Sequence, residues 1–415
     1  MGIDLHVGAA NLLGSARTRL RWEGEPETGS ECDVENSSQP EAALTAYLRG
    51  DLAAAIERQE SQLARKRAEG RAVAQDFAML GLFLASAGRN EAAVVALSAA
   101  AAQFPEEASI HENLGVMLYR LGRLDEAIEV LERALALKSA GPNIQDGLCH
   151  AHALKGSFAD AVKHGRLSLE AKDRHFSTTS SMLPLPADVP SFDSARPQEN
   201  VISYGLWGTE PRYLLPLQEN LRIARHIFPA WTIRVYMDAG TPIEVQDALQ
   251  RAGADVHRLQ LGPKEPPFRR LLWRFKVISD PTIKRFLVRD ADSLLSVKER
   301  VAVDAWLGSD KHFHLMRDYY THTDLVLANM WGKTGGILPT VETLLRDFQP
   351  FRIETSHIDQ DLLSERLWPT IRSSCLIHDS VFIGCLGSVP FPPYGALQPG
   401  HHVGQNAFIH FRKTS

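Results

Sequence analysis

The chain has 415 residues, which is enough for about two to four domains. Apolar residues make up 44% of it and charged residues 23%, proportions that are typical of a soluble globular protein and exclude wholesale disorder. Lysine and arginine together number 45 against 50 for aspartate and glutamate. The resulting net charge of −5 argues against a protein that binds nucleic acid.

The sequence pattern predicts neither a membrane span nor an exported protein. No apolar stretch is long enough to cross a bilayer, and polar residues interrupt the region where a secretory signal would carry its apolar core. The 4 cysteines have neither CxxC spacing nor the density of a disulfide scaffold. Together these features predict a cytoplasmic protein with reduced thiols.

An internal repeat follows a polar segment, residues 1–40, which is predicted to be poorly ordered. Two stretches that begin at Gly81 and Gly115 match at a period of about 34 residues, which is that of the tetratricopeptide repeat. A third copy keeps Gly156 and Ala161 in the same frame. The matching pairs are Leu80 and Leu114, Gly81 and Gly115, Leu84 and Leu118, Gly88 and Gly122, Ala93 and Ala127, Leu97 and Leu131, and Ala100 and Ala134.

The repeat predicts stacked helical hairpins. Small residues let the two helices of a hairpin approach closely, and Gly88, Gly122 and Gly156 suit the intervening turns because glycine adopts positive φ cheaply. A single hairpin cannot bury its apolar face, so copies stack into a solenoid with a concave groove. Residues 41–173 are therefore predicted to form an α-helical tetratricopeptide solenoid that binds a protein or peptide and is compatible with a homo-oligomer. The alternative is an alanine-rich helical bundle.

The character of the chain changes after the repeats. Residues 174–199 lose the helical period and accumulate Ser, Thr and Pro, which predicts a linker or a surface strap. Strands then alternate with helices, which predicts an α/β domain over 200–415 with a mostly parallel sheet covered on both faces. Ligands of such sheets bind beyond the carboxyl ends of the strands. The predicted elements are strand 201–207, helix 213–227, strand 232–237, helix 244–253, strand 254–261, helix 269–278, strand 284–292 and strand 311–318.

The strongest local feature is an acidic turn at the end of a predicted strand. Three apolar residues, Phe286 to Val288, lead into Asp290 and Asp292. Residues i and i+2 of an extended chain point the same way, so the two carboxylates can converge on one hard cation. Arg289 points oppositely and is expected to buttress the sheet. The pattern predicts a magnesium or manganese ion with positions left open for phosphate oxygens.

Residues 200–415 resemble the GT-A class of nucleotide-sugar glycosyltransferases. The DxD follows a strand, and the opening segment VISYGLWGTEPRYLLPLQENLRIARHIFPAWTIRVYMD is similar to the first nucleotide-binding unit of such enzymes. The resemblance implies a Rossmann-like domain that uses Mn²⁺ or Mg²⁺ to move a sugar from a nucleoside diphosphate sugar, UDP-sugar above all, to a hydroxyl acceptor on a glycan or protein. Further motifs in a similar order are LLWRF (271–275), RDADS (289–293), HLMRDYYTH (314–322), MWGKTGG (330–336), DQDLL (359–363) and IHDS (377–380).

The resemblance assigns the metal to Asp290 and Asp292, with Asp290 reaching either the metal or the ribose. Related enzymes often complete the metal site with a histidine near the C-terminus, in a His–Gly–Lys-Pro-Trp context that this chain lacks. His378 is the preferred candidate because it follows the apolar run CLI, and His402 is the alternative.

The resemblance also assigns the donor and acceptor contacts. DQDLL is similar to the Asp-Gln-Asp of retaining transferases such as glycogenin and lipopolysaccharide galactosyltransferases, which implies that its polar residues face the sugar and the acceptor. Inversion would require a carboxylate base, whereas retention does not obviously require one, so the stereochemistry stays open. The catalytic candidates are Asp318, Asp359, Gln360 and Asp361.

Donor binding is expected at several motifs. Arg274 and Lys276 are candidates for diphosphate or sugar contacts, Trp331 is a candidate for stacking on a sugar ring, and Gly332 belongs to a glycine-rich turn under the sugar. The full set of candidates is Tyr204, Gly205, Trp207, Arg274, Lys276, Asp290, Trp331 and Gly332.

Two other readings are weighed against a transferase. The first is a repeat scaffold whose transferase-like domain is inactive. The second is a metal-dependent nucleotidyltransferase, but Trp207, Gly208, Thr209 and Glu210 stand where its glycine- and arginine-rich phosphate loop would follow the first strand. Protein O-GlcNAc transferase also joins these repeats to a sugar transferase, but with a GT-B domain that has no metal-binding DxD. A shared architecture therefore does not transfer its substrate.

Overall fold

The computed structural model describes residues 39–137, 141–178, 181–262, 265–346, 348, 357–395 and 401–407. The described chain forms two compact units, which divide between His164 and Gly165. The segment 1–40, predicted to be poorly ordered, lies outside the described residues except for Gln39 and Pro40, which begin the first helix. None of the helices in these ranges is both long and apolar enough to cross a membrane.

The first unit is built from helical hairpins. The turns between paired helices contain Gly88, Gly122 and Gly156, whose φ values are 72°, 76° and 84°. These are the glycines that the sequence pattern places at the turns, so this part of the repeat prediction is confirmed. The helices are α1 (Gln39–Leu48), α2 (Leu52–Ala68), α3 (Ala74–Ser86), α4 (Asn90–Gln103), α5 (Ala108–Arg120), α6 (Leu124–Leu137), α7 (Pro142–Lys155) and α8 (Phe158–Phe176), the last of which continues into the second unit.

Residues 34 positions apart make equivalent packing contacts in neighbouring hairpins. A Cβ at Gly81 of α3 would lie 3.0 Å from Leu97 Cγ of α4, and a Cβ at Gly115 of α5 would lie 2.5 Å from Leu131 Cγ of α6. Both leucines are almost completely buried, at 1% and 0% exposure. The small residues are therefore required where the helices approach each other, as the sequence predicts.

The close contact at Gly115 predicts that a larger residue there lowers the free energy of unfolding. Gly115→Ala places a methyl group against the Leu131 side chain, and overpacking of a core costs about 1–3 kcal/mol. The helix propensity of alanine returns up to about 1 kcal/mol. We expect a net loss of about 1 kcal/mol or more in the free energy of unfolding, measured by urea denaturation with circular dichroism.

Gly81→Ala is the matched control, because it occupies the same position of the neighbouring repeat with a looser contact. A Gly115→Ala variant as stable as the parent chain would contradict the packing argument.

The second unit contains one seven-stranded sheet with helices around it. The predicted helix at 269–278 is a 3-10 helix over Pro267–Ser279. The α-helices are α9 (Pro211–Ile227), α10 (Ile243–Arg251), α11 (Val297–Leu307), α12 (Val341–Leu345) and α13 (Ile358–Ser373). The strands are β1 (Asn200–Leu206), β2 (Thr232–Asp238), β3 (Asp255–Leu259), β4 (Arg285–Val288), β5 (Phe313–Arg317), β6 (Trp331–Thr334) and β7 (Cys375–Asp379).

The sheet is mixed, which corrects the prediction of a mostly parallel sheet. Its strand order is β3-β2-β1-β4-β6-β5-β7. Strand β6 runs antiparallel to both β4 and β5, whereas the other neighbouring strands pair in parallel. The difference arises because the GKTGG segment, interpreted as a turn, supplies the strand β6 through Gly332, Lys333 and Thr334.

The strand order reverses between β1 and β4. The chain proceeds from β1 outward to β2 and β3, and then returns to place β4 on the other side of β1. In open α/β sheets, such a reversal leaves a crevice outside the carboxyl ends of the two strands, where ligands bind. The DxD follows β4, so the fold places Asp290 and Asp292 at this reversal.

The segment predicted as a linker or strap packs on the second unit. Asn200, at the start of β1, donates through Nδ2 to the carbonyl oxygens of Asp193 at 2.9 Å and Ala230 at 3.1 Å. Phe192 stacks on Trp231 with ring centroids 5.7 Å apart. The described residues around Phe192 therefore lie on this unit as a surface strap, whereas 174–176 belong to helix α8.

Candidate functional site

The acidic turn after β4 is held in shape by a side chain of α9. Asn220 is fully buried. Its Nδ2 donates to the Ser293 carbonyl oxygen at 2.7 Å, and its Oδ1 accepts from the Leu295 N–H at 2.9 Å. One amide thus satisfies two backbone groups that would otherwise be buried without partners, which fixes the chain directly after Asp292.

Asn220→Leu should destabilise the second unit. Each of the two orphaned backbone groups costs about 1–3 kcal/mol, so we expect a loss of roughly 2–6 kcal/mol in the free energy of unfolding, measured by urea denaturation. Glu219→Ala is the control, because its neighbouring side chain pairs only with Arg222 at the surface and should cost no more than about 0.5 kcal/mol. Equal effects of the two changes would show that the amide does not hold the turn.

Arg289, between the strand and the acidic turn, points into the protein. Its Nε donates to Glu299 Oε1 at 2.6 Å, and its Nη1 donates to the Trp331 carbonyl oxygen at 3.1 Å. Both charged side chains are at most 3% exposed. The expectation that Arg289 buttresses the sheet is therefore confirmed.

A buried arginine joins the DxD to the DQD. Arg274, on the 3-10 helix, donates through Nη1 to Asp290 Oδ1 and through Nη2 to Asp359 Oδ2 at 2.5 Å. Its own carbonyl oxygen accepts from Ser203 Oγ of β1 at 2.6 Å, and this hydrogen bond joins the 3-10 helix to the sheet. Two motifs that are far apart in sequence therefore meet at one guanidinium.

Burial and charge act in opposite directions on this cluster. Burial raises the pKa of Asp359 above its ordinary value of 3.8, the Arg274 guanidinium lowers it, and the Asp290 carboxylate raises it again; the net shift is upward. The pKa of Arg274 is raised, because its two carboxylate partners outweigh the cost of burying its charge. The Asp290 side chain is 33% exposed, so it forms the open end of the cluster.

Arg274→Met should be strongly destabilising and pH-dependent. Removing the cation leaves Asp359 buried without its counter-charge, which costs about 3–5 kcal/mol near neutral pH. A carboxyl group whose pKa is raised on folding binds its proton more tightly in the folded state, so folding gains stability as the pH falls through that raised pKa. Losing the guanidinium raises the pKa of Asp359 further. The difference in the free energy of unfolding between variant and parent should therefore shrink as the pH falls towards and below the pKa of Asp359 in the variant.

Lys276→Met is the control for Arg274→Met, because Lys276 forms a surface ion pair two residues further along the same helix. We expect a change of no more than about 0.5 kcal/mol for it. The free energy of unfolding of both variants and of the parent chain is measured by denaturation at several pH values. If the difference between Arg274→Met and the parent chain does not change with pH, the proposed interaction of Arg274 with Asp359 is contradicted.

Asp292 is contacted by a C-terminal segment, residues 401–407, which we call the C-terminal strap. Asn406 donates through Nδ2 to Asp292 Oδ2 at 3.3 Å, and the Ala407 N–H donates to the Asp292 carbonyl oxygen at 2.7 Å. Ser293 and Asn406 form an antiparallel bridge. The strap thus lies along the acidic turn.

The donor set at this turn suits a hard cation. Within the described residues, no group of three or more His, Cys, Asp or Glu side chains could hold a metal ion. Mg²⁺ is nevertheless usually held by one or two carboxylates together with substrate phosphates and water. One oxygen of Asp290 is engaged by Arg274 and one of Asp292 by Asn406, and the binding of such an ion by the two carboxylates stays a prediction.

His378 does not complete this site. It lies on β7, where its Nδ1 is 2.8 Å from His314 Nε2, and burial lowers its pKa to about 4. Strand β7 lies three positions away from β4 in the sheet, so the structure does not bring His378 to the DxD. The alternative, His402, lies on the C-terminal strap and stacks on Tyr319 with ring centroids 4.5 Å apart.

Asp318 is not placed as a catalytic base. It is buried at the end of β5. Its Oδ1 accepts from Lys298 Nζ, and its Oδ2 accepts from the Val403 N–H at 2.7 Å. Both carboxylate oxygens are therefore engaged inside the protein, so this placement gives no support to a catalytic role, which stays a prediction.

Three predicted donor contacts have partners within the protein. Trp331 is completely buried, with Phe275 and Phe286 at centroid distances of 5.8 and 5.3 Å. Gly332 lies within β6, where a Cβ would meet Leu287 Cδ2 at 2.6 Å. Lys276 pairs with Glu342 at 2.9 Å. An aromatic residue, a glycine and a lysine occur as readily in a buried strand or a surface ion pair as in a site, so the placement of these three gives no support to donor contacts.

The end of β1 lies beside the acidic turn, because β1 and β4 are neighbours. Tyr204 and Gly205 belong to β1, and Tyr204 is fully buried, which raises the pKa of its hydroxyl. Trp207 is half-buried, with its ring centroid 6.3 Å from that of Tyr213. Donor contacts by this group stay a prediction.

Tyr213 is a site residue that the sequence analysis missed. Burial raises the pKa of its hydroxyl, the Arg212 guanidinium lowers it, and the carboxylates of Asp292 and Asp290 raise it further. The Arg212 guanidinium lies 4.4 Å from the centre of its ring. Tyr213 therefore lies within electrostatic reach of the acidic turn, and its position at the start of the helix after β1 was the available signal.

The DQD motif opens helix α13. Asp359 and Asp361 are buried, and the Asp359 Oδ1 accepts from the N–H of Gln360 at 2.9 Å. Gln360 Oε1 is buried without a hydrogen-bond partner among the described residues.

The repeats themselves are shown by comparison with known families. Residues 79–142 match the tetratricopeptide repeat family, so the N-terminal region contains tetratricopeptide repeats, as the 34-residue period predicts. No curated protein matches the chain.

Solved structures give weaker likenesses. A point mutant of the O-GlcNAc transferase of Thermobaculum terrenum is 21% identical, with a TM-score of 0.40, over 62% of this chain and 46% of its own. This chain therefore spans less than half the length of that protein. A thermophilic TPR protein of Thermus thermophilus is 25% identical, with a TM-score of 0.29, over 33% of this chain and 76% of its own. Such likenesses assign no activity to the second unit.

Proposed function

We propose that the chain is a metal-dependent glycosyltransferase with a GT-A-like domain. It would move a sugar from a nucleoside diphosphate sugar, a UDP-sugar above all, to a hydroxyl acceptor. The observation that carries the proposal is the Arg274 guanidinium, which brings the DxD and the DQD together through Asp290 and Asp359. Support also comes from the strand reversal, which is where ligands of α/β sheets bind.

Asp290 and Asp292 would hold the cation. A divalent ion bound there would offset the negative charge that develops on the departing diphosphate. The chain's own part is positioning: Asn220 fixes the turn that carries the carboxylates, and Arg274 fixes Asp290 relative to Asp359. Preorganised charges of this kind are the larger share of catalysis in transfer reactions.

The DQD would face the sugar and the acceptor. Asp359 is held by Arg274, which leaves Gln360, with its unpartnered Oε1, as the polar group best placed to contact a sugar hydroxyl at the start of α13. Asp361 is also buried here. An acceptor base would come from Asp318, Asp359 or Asp361, and each of the first two would first have to release a partner from its carboxylate.

The repeats would hold a protein or peptide, either the acceptor or a partner that localises the enzyme, and they are compatible with a homo-oligomer. Helix α5 is buried over ten successive residues, from Ile110 to Tyr119. A partner would therefore use another part of the repeat surface, or would reach α5 only by displacing the residues that cover it.

The proposal is tested by the cation and the donor together. We expect the full chain to hydrolyse one member of a panel of nucleoside diphosphate sugars slowly in the presence of Mn²⁺, and to show a thermal shift with the same donor. Asp292→Asn should reduce the Mn²⁺-stimulated rate by about 100-fold or more, since it removes a carboxylate that faces the ion. Product nucleotide is measured by chromatography.

Asp310→Asn is the control, because Asp310 is an exposed carboxylate that pairs only with the neighbouring Lys311. An Asp292→Asn variant with full Mn²⁺-stimulated activity would refute the metal assignment. Absence of any thermal shift or hydrolysis with every donor would favour the alternative of a repeat scaffold with an inactive transferase-like domain, and incorporation of nucleotide from a nucleoside triphosphate would favour a nucleotidyltransferase.

A further inference from the structure

The C-terminal strap is fixed to the sheet at Val403. The Val403 N–H donates to Asp318 Oδ2 at 2.7 Å, and the side chain is 2% exposed in a cluster with Met316, Leu327 and Met330. The next residue, Gly404, has a φ of 80°, and a Cβ there would lie 2.7 Å from Met330 Sδ. Only glycine therefore allows the strap to follow this path.

The carboxylate that receives Val403 is itself rigidly held. Lys298 of α11 donates through Nζ to Asp318 and to Ser380 Oγ at 3.0 Å. The same Nζ lies 4.5 Å from the ring centre of Phe391 and 4.8 Å from that of Tyr394, so the lysine is enclosed by aromatic side chains. The side chains of Lys298 and Asp318 are 5% and 2% exposed. The charges of Lys298 and Asp318 are thus shielded from solvent and are stabilised by each other and by their hydrogen-bond partners.

The other end of the strap contacts the proposed cation site. Asn406 donates to the Asp292 carboxylate and Ala407 donates to its carbonyl oxygen. Only Gly404 and Gln405 separate Val403 from Asn406. A segment this short cannot shift at Val403 without moving Asn406.

We propose that Asp318 is a positioning residue for Asp292: together with Lys298 it anchors the C-terminal strap, which in turn holds Asn406 and Ala407 against Asp292. The coupling along the strap stands on the geometry alone, whereas its effect on a cation rests on the proposed function. Hydrogen bonds from outer groups orient the carboxylates that bind metals, and losing such a group typically weakens metal binding about 10- to 100-fold.

The test separates this role from a merely structural ion pair. The combined change Lys298→Met with Asp318→Ala removes the anchor without leaving a buried unpaired charge. The combined change Lys298→Met with Asp318→Asn also removes both charges, but it keeps a side-chain oxygen for the Val403 N–H. The second variant should therefore rescue the strap, although it lacks the ion pair. Asp304→Asn, which breaks an exposed pair on the same helix α11, is the control.

Hydrogen exchange of the full chain measures directly how well the backbone amides of the strap are protected. In the Asp318→Ala combination, we expect the amides of Val403 and Ala407 to exchange at least about tenfold faster than in the parent chain. In the Asp318→Asn combination and in Asp304→Asn, they should keep most of their protection. Should the Asp318→Ala combination fail to fold, Gly404→Ala disturbs the strap without touching a charge and should expose the same two amides. If Ala407 stays protected while Val403 loses protection, the coupling is refuted.

Binding of Mn²⁺ alone, followed by electron paramagnetic resonance, provides the second readout. The Asp318→Ala combination and Asn406→Ala should each weaken Mn²⁺ binding about tenfold, and joining them should add little, because both act through the same strap. If the losses in Mn²⁺ affinity add up in the combined variant, the two changes do not act through the same strap and the proposal is refuted. A parent chain that binds no Mn²⁺ would overturn the proposed function, whereas the exchange measurement would still decide the strap coupling.

Discussion

The candidate site depends on the two hydrogen-bonded ion pairs of Arg274. A guanidinium has a rigid fork of donors, so it can bind two carboxylates at a fixed mutual angle, which a lysine could not do. Asp290 and Asp359 come from the end of a strand and the start of a helix that are 69 positions apart in the chain, and no backbone pairing joins them. The arginine therefore carries the relative placement of the DxD and the DQD. Because the Asp359 side chain is only 4% exposed, removing the guanidinium leaves a buried charge that water cannot easily compensate.

Much of the architecture could be predicted from local patterns. The repeat period identified the hairpins and their turn glycines, because Gly88, Gly122 and Gly156 stand where only positive φ closes the turn. The alternation of strands and helices identified the α/β unit, and the apolar run before Asp290 placed the acidic turn at a strand end. The antiparallel strand β6 was missed, since its GKTGG sequence is typical of a turn. What makes it a strand is the packing of Gly332 against Leu287, a contact between strands that are distant in sequence.

The site was predicted less well than the fold because residue types do not reveal their partners. Asp318 and Asp292 are both acidic residues near strand ends, but only the tertiary structure shows that a buried lysine engages the first while the C-terminal strap reaches the second. Trp331 and His378 likewise had the chemistry of ligand contacts, yet both are buried against other rings. Asn220 and Asn406 were not considered, since an isolated asparagine has no periodicity or spacing that would mark it.

The balance of charge at the carboxyl end of β4 has a consequence for the order in which ligands could assemble. Asp290, Asp292 and Asp359 supply three carboxylates, and Arg274 supplies a guanidinium that contacts two of them. With Arg212 beside the same turn, two guanidinium groups are described against three carboxylates, and an excess of negative charge of this kind attracts a small cation and repels a free diphosphate. A nucleotide approaching it would meet electrostatic resistance unless a counter-ion arrived first or travelled with it.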